Sequence, residues 1–112
     1  MKILLKIPTR GRPKQFFETL YSYYKLANNR NDISCLITID SDDTTMNNQE
    51  VLDAIKTYPN TTIKVGVSHS KIHAVNRDMH NIKHEWDILL LASDDMKPKI
   101  KGYDDIISCL LY

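Results

Sequence analysis

A three-layer α/β/α fold built on a mainly parallel four-stranded sheet is predicted by three features of the sequence. Short β-type apolar runs alternate with stretches of helical periodicity along the whole chain. The run Ile88-Leu89-Leu90-Leu91-Ala92 is apolar without alternation, as in a strand buried on both faces in the middle of a parallel sheet. No internal repeat, low-complexity segment or linker divides the chain, so its 112 residues read as one domain, 1–112, large enough for a real core.

Ile3 to Pro8 is the first strand, closed by Pro8. Thr9-Arg10-Gly11-Arg12-Pro13 is a turn in which Gly11 admits unusual dihedrals and Pro13 suits the first position of a helix. Phe16, Leu20, Tyr23 or Tyr24, and Ala27 recur at helical spacing, and Asn28-Asn29 and Asn31-Asp32 end that helix. Ile33 to Ile39 is a second strand that stops at Asp40, Asp42 and Asp43. Val51, Leu52, Ile55 and Tyr58 mark a second helix ended at Pro59. Ile63, Val65 and Val67 alternate with polar residues, as in a half-covered or edge strand. Ile72, Val75, Met79 and Ile82 form the stripe of a third helix capped by Ser68 or Ser70. The strand at Trp86 to Ala92 follows, then a loop at Pro98 and Gly102. Tyr103 to Leu111 closes the chain as a helix with Ile106, Ile107, Leu110 and Leu111 inward. Strands separated by helices pair in parallel through right-handed crossovers.

Composition is that of an ordinary globular protein, with 42% hydrophobic and 26% charged residues. A net charge of +1 gives no reason to expect a nucleic acid or a membrane surface as partner. No apolar run approaches transmembrane length, and Lys6, Pro8, Thr9 and Arg10 interrupt any signal-peptide core. The chain therefore reads as cytoplasmic. Cys35 and Cys109, both in apolar runs and without a CxxC neighbour, are expected to be buried free thiols.

Polar clusters follow three of the strands and should meet at one edge of such a sheet. Thr9-Arg10-Gly11-Arg12 leads into a helix amino terminus, where free N–H groups, the helix dipole and two guanidinium groups favour an anion such as phosphate. The plainer reading is a solvated basic turn. Neither a G-x-G-x-x-G nor a Walker A pattern occurs, which argues against NAD enzymes and P-loop ATPases. In Asp40-Ser41-Asp42-Asp43, an acid just past a strand end can accept hydrogen bonds from a ribose or a base edge. For Asp43 a turn or capping role is favoured. Asp94 and Asp95 repel one another, and a divalent metal carrying a phosphorylated ligand relieves that repulsion; a solvated turn is the alternative. Lys71 and Asn76, near the start of the third helix, are placed to reach a diphosphate. His69, His73, His80 and His84 share a helix face without an acid, and solvated imidazoles explain them better than a metal site. No serine–histidine–acid spacing stands out.

The order of Ile7-Pro8-Thr9-Arg10-Gly11-Arg12, Ile39-Asp40-Ser41-Asp42-Asp43, Ser70-Lys71-Ile72-His73-Ala74-Val75-Asn76 and Leu91-Ala92-Ser93-Asp94-Asp95 resembles the amino-terminal half of GT-A glycosyltransferases, the family-2-like group, over residues 1 to about 100. The resemblance implies the Rossmann-like half of a GT-A fold, holding a nucleotide-diphosphate sugar with Mn²⁺ or Mg²⁺. Thr9 matches the position that touches the nucleotide after the first strand, and Asp40 the acid that contacts the base. Lys71 and Asn76 fall in the segment over the ribose and diphosphate. Asp94 and Asp95 match the end of the D-x-D element, which reaches the ribose and the metal. The family's first acid aligns with Ala92, so the motif is only D-x-D-like and weaker metal binding is expected.

Members of that family continue well beyond this length, carrying the acceptor site and, in inverting members, a catalytic carboxylate. Asp104 and Asp105 lie too close to the D-x-D-like region to be that base. The chain is thus expected to be a donor-binding domain, truncated relative to a full glycosyltransferase. It would transfer the sugar to an unknown acceptor where the rest of the site is supplied. Arg10, Arg12 and Lys71 would add positive charge to the leaving group. Truncation would also bare an apolar patch through which a homodimer could form. The competing expectation is a non-catalytic α/β module that binds a nucleotide or a protein partner. A nucleotidyltransferase ranks third, since Gly11 alone makes no glycine-rich loop.

Overall fold

The computed structural model describes residues 2–67, 86–93 and 96–111, with side chains described as far as Ile107. In chain order the elements are β1 (Ile3–Thr9), α1 (Pro13–Leu26), a single 3₁₀ turn (Arg30–Asp32), β2 (Ile33–Asp40), α2 (Gln49–Ile55), β3 (Thr61–Gly66), β4 (Ile88–Leu91) and α3 (Tyr103–Leu111). The strands form one sheet in the order β3-β2-β1-β4. Every pairing is parallel, with Thr9 beside Ile39, Asp40 beside Gly66 and Lys6 beside Leu91. The expected four-stranded parallel α/β sheet is therefore present, and all four carboxyl ends open on one edge. The third helix expected after Ser68 or Ser70, with its four histidines, lies outside the described residues.

Side-chain alternation divides the sheet into two faces. Ile3, Leu5 and Ile7 of β1, Ile33, Cys35, Ile37 and Ile39 of β2, and Ile88 of β4 point to one face and form the core with the helices. From α1 come Phe16, Leu20, Tyr23 and Tyr24, the helical spacing visible in the sequence; Val51 and Ile55 come from α2, and Tyr103 from α3. Burying each such side chain contributes roughly 1.5–3 kcal/mol before entropy is counted. Leu4, Lys6, Leu36 and Thr38 are buried on the opposite face. There the Lys6 ammonium donates to Thr38 Oγ1, so a polar pair sits between the two central strands.

Three details depart from expectation. The unbroken apolar run at Ile88–Leu91 is not central: among the described residues β4 pairs with β1 alone, and Leu91 is 47% exposed. The central strands are β1 and β2, whose runs are interrupted by Lys6, Ser34 and Thr38. A run of leucines reports hydrophobicity, whereas strand order is decided by crossovers. Next, α2 stops at Ile55, before Tyr58. Asn48 caps its start by accepting the Val51 N–H at 3.0 Å, and a tight Thr57 N–H to Ala54 carbonyl bond at 3.3 Å unwinds its end. Tyr58 still packs on Tyr24, their ring centroids 5.2 Å apart, so its apolar signal was genuine although not helical. Finally, Ile106 of α3 faces outward at 44% exposure, and Tyr103 and Asp104 turn inward in its place.

That inversion follows from how α3 is tied down at the amino edge of the sheet. The Asp104 carboxylate accepts the backbone N–H groups of Asn28 and Asn29, each at 2.9 Å. Asp105 accepts the amide side chains of the same two asparagines at 2.7 and 2.8 Å. Gly102 N–H donates to the Leu26 carbonyl at 2.6 Å, and Tyr103 Oη to the Tyr23 carbonyl at 2.7 Å. Lys101 Nζ donates to the Lys25 and Ala27 carbonyls at 3.1 and 3.2 Å. The orphan groups at the end of α1 are thus satisfied by a segment more than seventy residues away. Asp104 and Asp105 are clasp residues.

Candidate functional site

Strand order fixes where a ligand site can form. The chain leaves β1 for β2 and β3 on one side, and returns to β4 on the other. The carboxyl ends of β1 and β4 therefore flank the point where the winding reverses, the place where open α/β sheets bind ligands. β2 and β4 both neighbour β1, about 10 Å apart across it, two strand spacings, with β4 stopping at the level of Leu36 and β2 running on to Asp40. Along the same carboxyl edge stand Thr9 at the end of β1, Arg10 and Arg12 in the loop after it, Asp40 at the end of the neighbouring β2, and Asp42 just beyond. Ser93 follows β4 on the same edge. Asp94, Asp95, Lys71 and Asn76 lie outside the described residues.

The β1–α1 loop is shaped by Gly11, whose φ of 67° is left-handed, and by Pro13 at the first helical position. Arg12 occupies the N-cap without a side-chain cap bond, so no side chain of its own closes the helix amino terminus. Arg10 reaches across to β2. Its Nη1 donates to Asp40 Oδ2 at 2.9 Å and to Asp42 Oδ1 at 2.8 Å, and its Nη2 lies 3.4 Å from Asp42 Oδ2. Hydrogen bonding to Arg10, and then its charge, hold the Asp42 carboxyl below the usual carboxylate range. Asp42 and Asp40 in turn raise the guanidinium pKa. The side chains of Arg10 and Asp42 are 58% and 74% exposed, against 18% for Asp40.

Asp43, read from the sequence as a turn residue, has a longer reach. It is buried and accepts the Thr45 N–H at 3.2 Å and the Thr45 hydroxyl at 2.5 Å within its own turn. It also accepts the Gly11 N–H at 2.7 Å, joining the loop after β2 to the loop after β1. Burial raises its pKa, but the Thr45 and Gly11 bonds outweigh that and leave it below the ordinary value. Met46, fully buried, anchors the same turn in the core. Nothing local in the sequence marks the Gly11 contact, because its partners stand 32 positions apart.

Among the described residues, no three histidine, cysteine or acidic side chains gather where a metal ion could sit. Of the acids described here, Asp40 and Asp42 are engaged by Arg10, and Asp43 by Gly11 and Thr45. No helix among the described residues is long and apolar enough to cross a membrane. Cys35 is a free, buried thiol whose pKa burial pushes up to about 12. The side chain of Cys109 lies outside the described residues.

The sequence matches no protein-family model and no curated protein. Its fold is shared with solved structures. TarS of S. aureus, as the crystal structure of its residues 1–349, aligns over 96% of this chain with a TM-score of 0.73 and 17% identity. The mannosyltransferase PcManGT from Pyrobaculum calidifontis, in complex with GDP-Man and Mn²⁺, aligns over 89% with a TM-score of 0.73 and 17% identity. The chain spans 32% and 29% of the length of those two structures. At this identity the likeness establishes the parallel α/β sheet of the two neighbours.

Proposed function

We propose that the carboxyl edge of the sheet binds the nucleotide-diphosphate part of a sugar donor, and that the chain is the donor-binding half of a glycosyltransferase. The supporting observation is that Arg10, in the loop after β1, is hydrogen-bonded to Asp40 at the end of β2, on the carboxyl edge of a sheet whose fold is shared with a mannosyltransferase solved in complex with GDP-Man and Mn²⁺. Asp40 and Asp42, at the end of β2, are the acceptors for base or ribose donors. Arg10 and Arg12, beside the start of α1, supply cationic hydrogen-bond donors to the diphosphate and stabilise its charge as it leaves the sugar. Lys71 and Asn76 are assigned to the diphosphate side by sequence alone.

A bound Mn²⁺ or Mg²⁺ would supply further positive charge beside the diphosphate, with Asp94 and Asp95 as its proposed ligands. The protein would act in the cytoplasm on an acceptor still to be identified, with groups from outside these residues completing the site. A non-catalytic nucleotide-binding module is the second reading.

Calorimetry with UDP and GDP, each with and without Mn²⁺, tests the site. Metal-enhanced binding of either nucleotide is the expected result, and no heat with any nucleoside diphosphate would dismiss it. Release of free sugar from a bound sugar nucleotide separates the enzyme from the module, because even slow donor hydrolysis requires the transfer chemistry.

A further inference from the structure

Arg10 is placed oddly for a group that serves only to clamp phosphate. Its guanidinium lies on Asp40 and Asp42, the two acids assigned above to the nucleoside. One cation is thus shared by two carboxylates, and the bond to Asp40 covers the less exposed of the two. A hydrogen-bonded ion pair this open to solvent is weak and can be exchanged for another anion. A nucleoside alone brings no charge to compensate Arg10 for leaving these acids. A nucleoside diphosphate does, and it offers bidentate oxygen pairs that suit a guanidinium.

We propose that Arg10 is an exchangeable latch: its bonds to Asp40 and Asp42 give way to bonds with the diphosphate when a nucleoside diphosphate binds. This deepens the donor-site reading and rests on it. The consequence is selectivity of a particular kind. Free nucleosides are disfavoured because they must compete with Arg10 for Asp40 Oδ2 and for both oxygens of Asp42, whereas the phosphates carry the means of drawing Arg10 away. Asp43 contributes by fixing the loop next to Arg10: its bond to the Gly11 N–H keeps the guanidinium within reach of both partners. Arg10 is therefore a specificity-determining residue.

The test compares guanosine and uridine with GDP and UDP, titrated calorimetrically into the full chain and into Arg10→Gln, at fixed ionic strength. Removing the guanidinium should weaken diphosphate binding about tenfold and strengthen nucleoside binding about threefold, two changes of opposite sign. A direct reading comes from the Arg10 side-chain ¹⁵N–¹H resonance of the unaltered protein, which should move on adding GDP or UDP and stay in place on adding the nucleoside. Equal weakening of nucleoside and diphosphate in Arg10→Gln, or an Arg10 resonance indifferent to diphosphate, overturns the latch and leaves the donor site standing. Failure of the unaltered protein to bind either diphosphate removes the donor-site reading, and the latch with it.

Discussion

Replacing Asp104 by alanine should destabilise the fold far more than its place near the end of the described chain suggests. The carboxylate is 4% exposed and accepts two backbone N–H groups, of Asn28 and Asn29, at 2.9 Å each. Burial raises its pKa, but hydrogen bonds from the backbone amides of Asn28, Asn29, Asp105 and Asp104 itself outweigh this and hold the carboxyl below its ordinary value. A hydrogen bond to a charged group contributes about 1.5–3 kcal/mol net. Water can reach part of the space vacated by the side chain, so the two bonds together correspond to about 3 kcal/mol. A domain of this size has a total stability of about 5–15 kcal/mol, so the loss is a large fraction of it. The midpoint of thermal unfolding should fall by about 12 °C. Asp104→Asn keeps the shape but turns an amide donor toward one of the N–H groups, and should lose nearly as much. Asp105→Ala removes bonds to exposed asparagine side chains only, and should change stability by less than about 0.5 kcal/mol. Urea unfolding of the three variants, followed by far-ultraviolet circular dichroism, measures the differences directly. Asp104→Ala within about 0.5 kcal/mol of the parent, or Asp105→Ala equal to it, would refute the clasp.

Other expectations follow from the same geometry. Asp43 and Asp104 both have depressed carboxyl pKa values, so their contribution is complete above the unfolded value and is lost as pH falls through the folded one. Urea midpoints should therefore drop on acidification below about pH 4, and less steeply in Asp104→Ala; a flat acid limb in the parent would contradict this. Gly102 has φ 80°, and an added Cβ would lie 2.5 Å from Asn28 Nδ2, so Gly102→Ala combines backbone strain with disruption of the clasp. Gly11, at φ 67°, has open space around it and should show only the strain, about 1 kcal/mol, with the larger loss at Gly102 checked by thermal melting. Cys35 should resist a thiol reagent in native protein at pH 8 and react at once in urea, because its thiol is both buried and shifted to about 12. Rapid native labelling of Cys35 would mean that the core opens readily.

Most of the sheet was legible because its signals are local. Apolar runs that stop near Pro8, at Asp40 and at turn residues mark strand ends, although β1 continues past Pro8 to Thr9, and Phe16, Leu20, Tyr23 and Tyr24 mark the buried stripe of α1. The edge character of β3 was legible from its alternation, which the partly exposed Thr61–Gly66 strand bears out. What the sequence concealed is long-range. The leucines of β4 suggested a central strand, yet order in a parallel sheet is decided by where each crossover lands. Ile106 was assigned inward by helical period, but the bonds of Asp104 to Asn28 and Asn29 determine which side of α3 faces the core. Arg10 was recognisable as a basic loop residue; its attachment to Asp40 and Asp42 depends on β1 and β2 being neighbours. The same adjacency turns Asp43 from a turn residue into the tie between two loops.

Amide chemical-shift mapping with GDP–Mg²⁺ and UDP–Mg²⁺ tests the proposed donor edge most directly, because the molecule carries its own control. Binding at the carboxyl edge should shift the amides of Thr9 to Arg12, Asp40 to Asp43 and Ser93, while those of Asn28, Asn29 and Asp104 at the amino edge stay in place. Shifts centred on the amino edge, or none at saturating nucleotide, would contradict it.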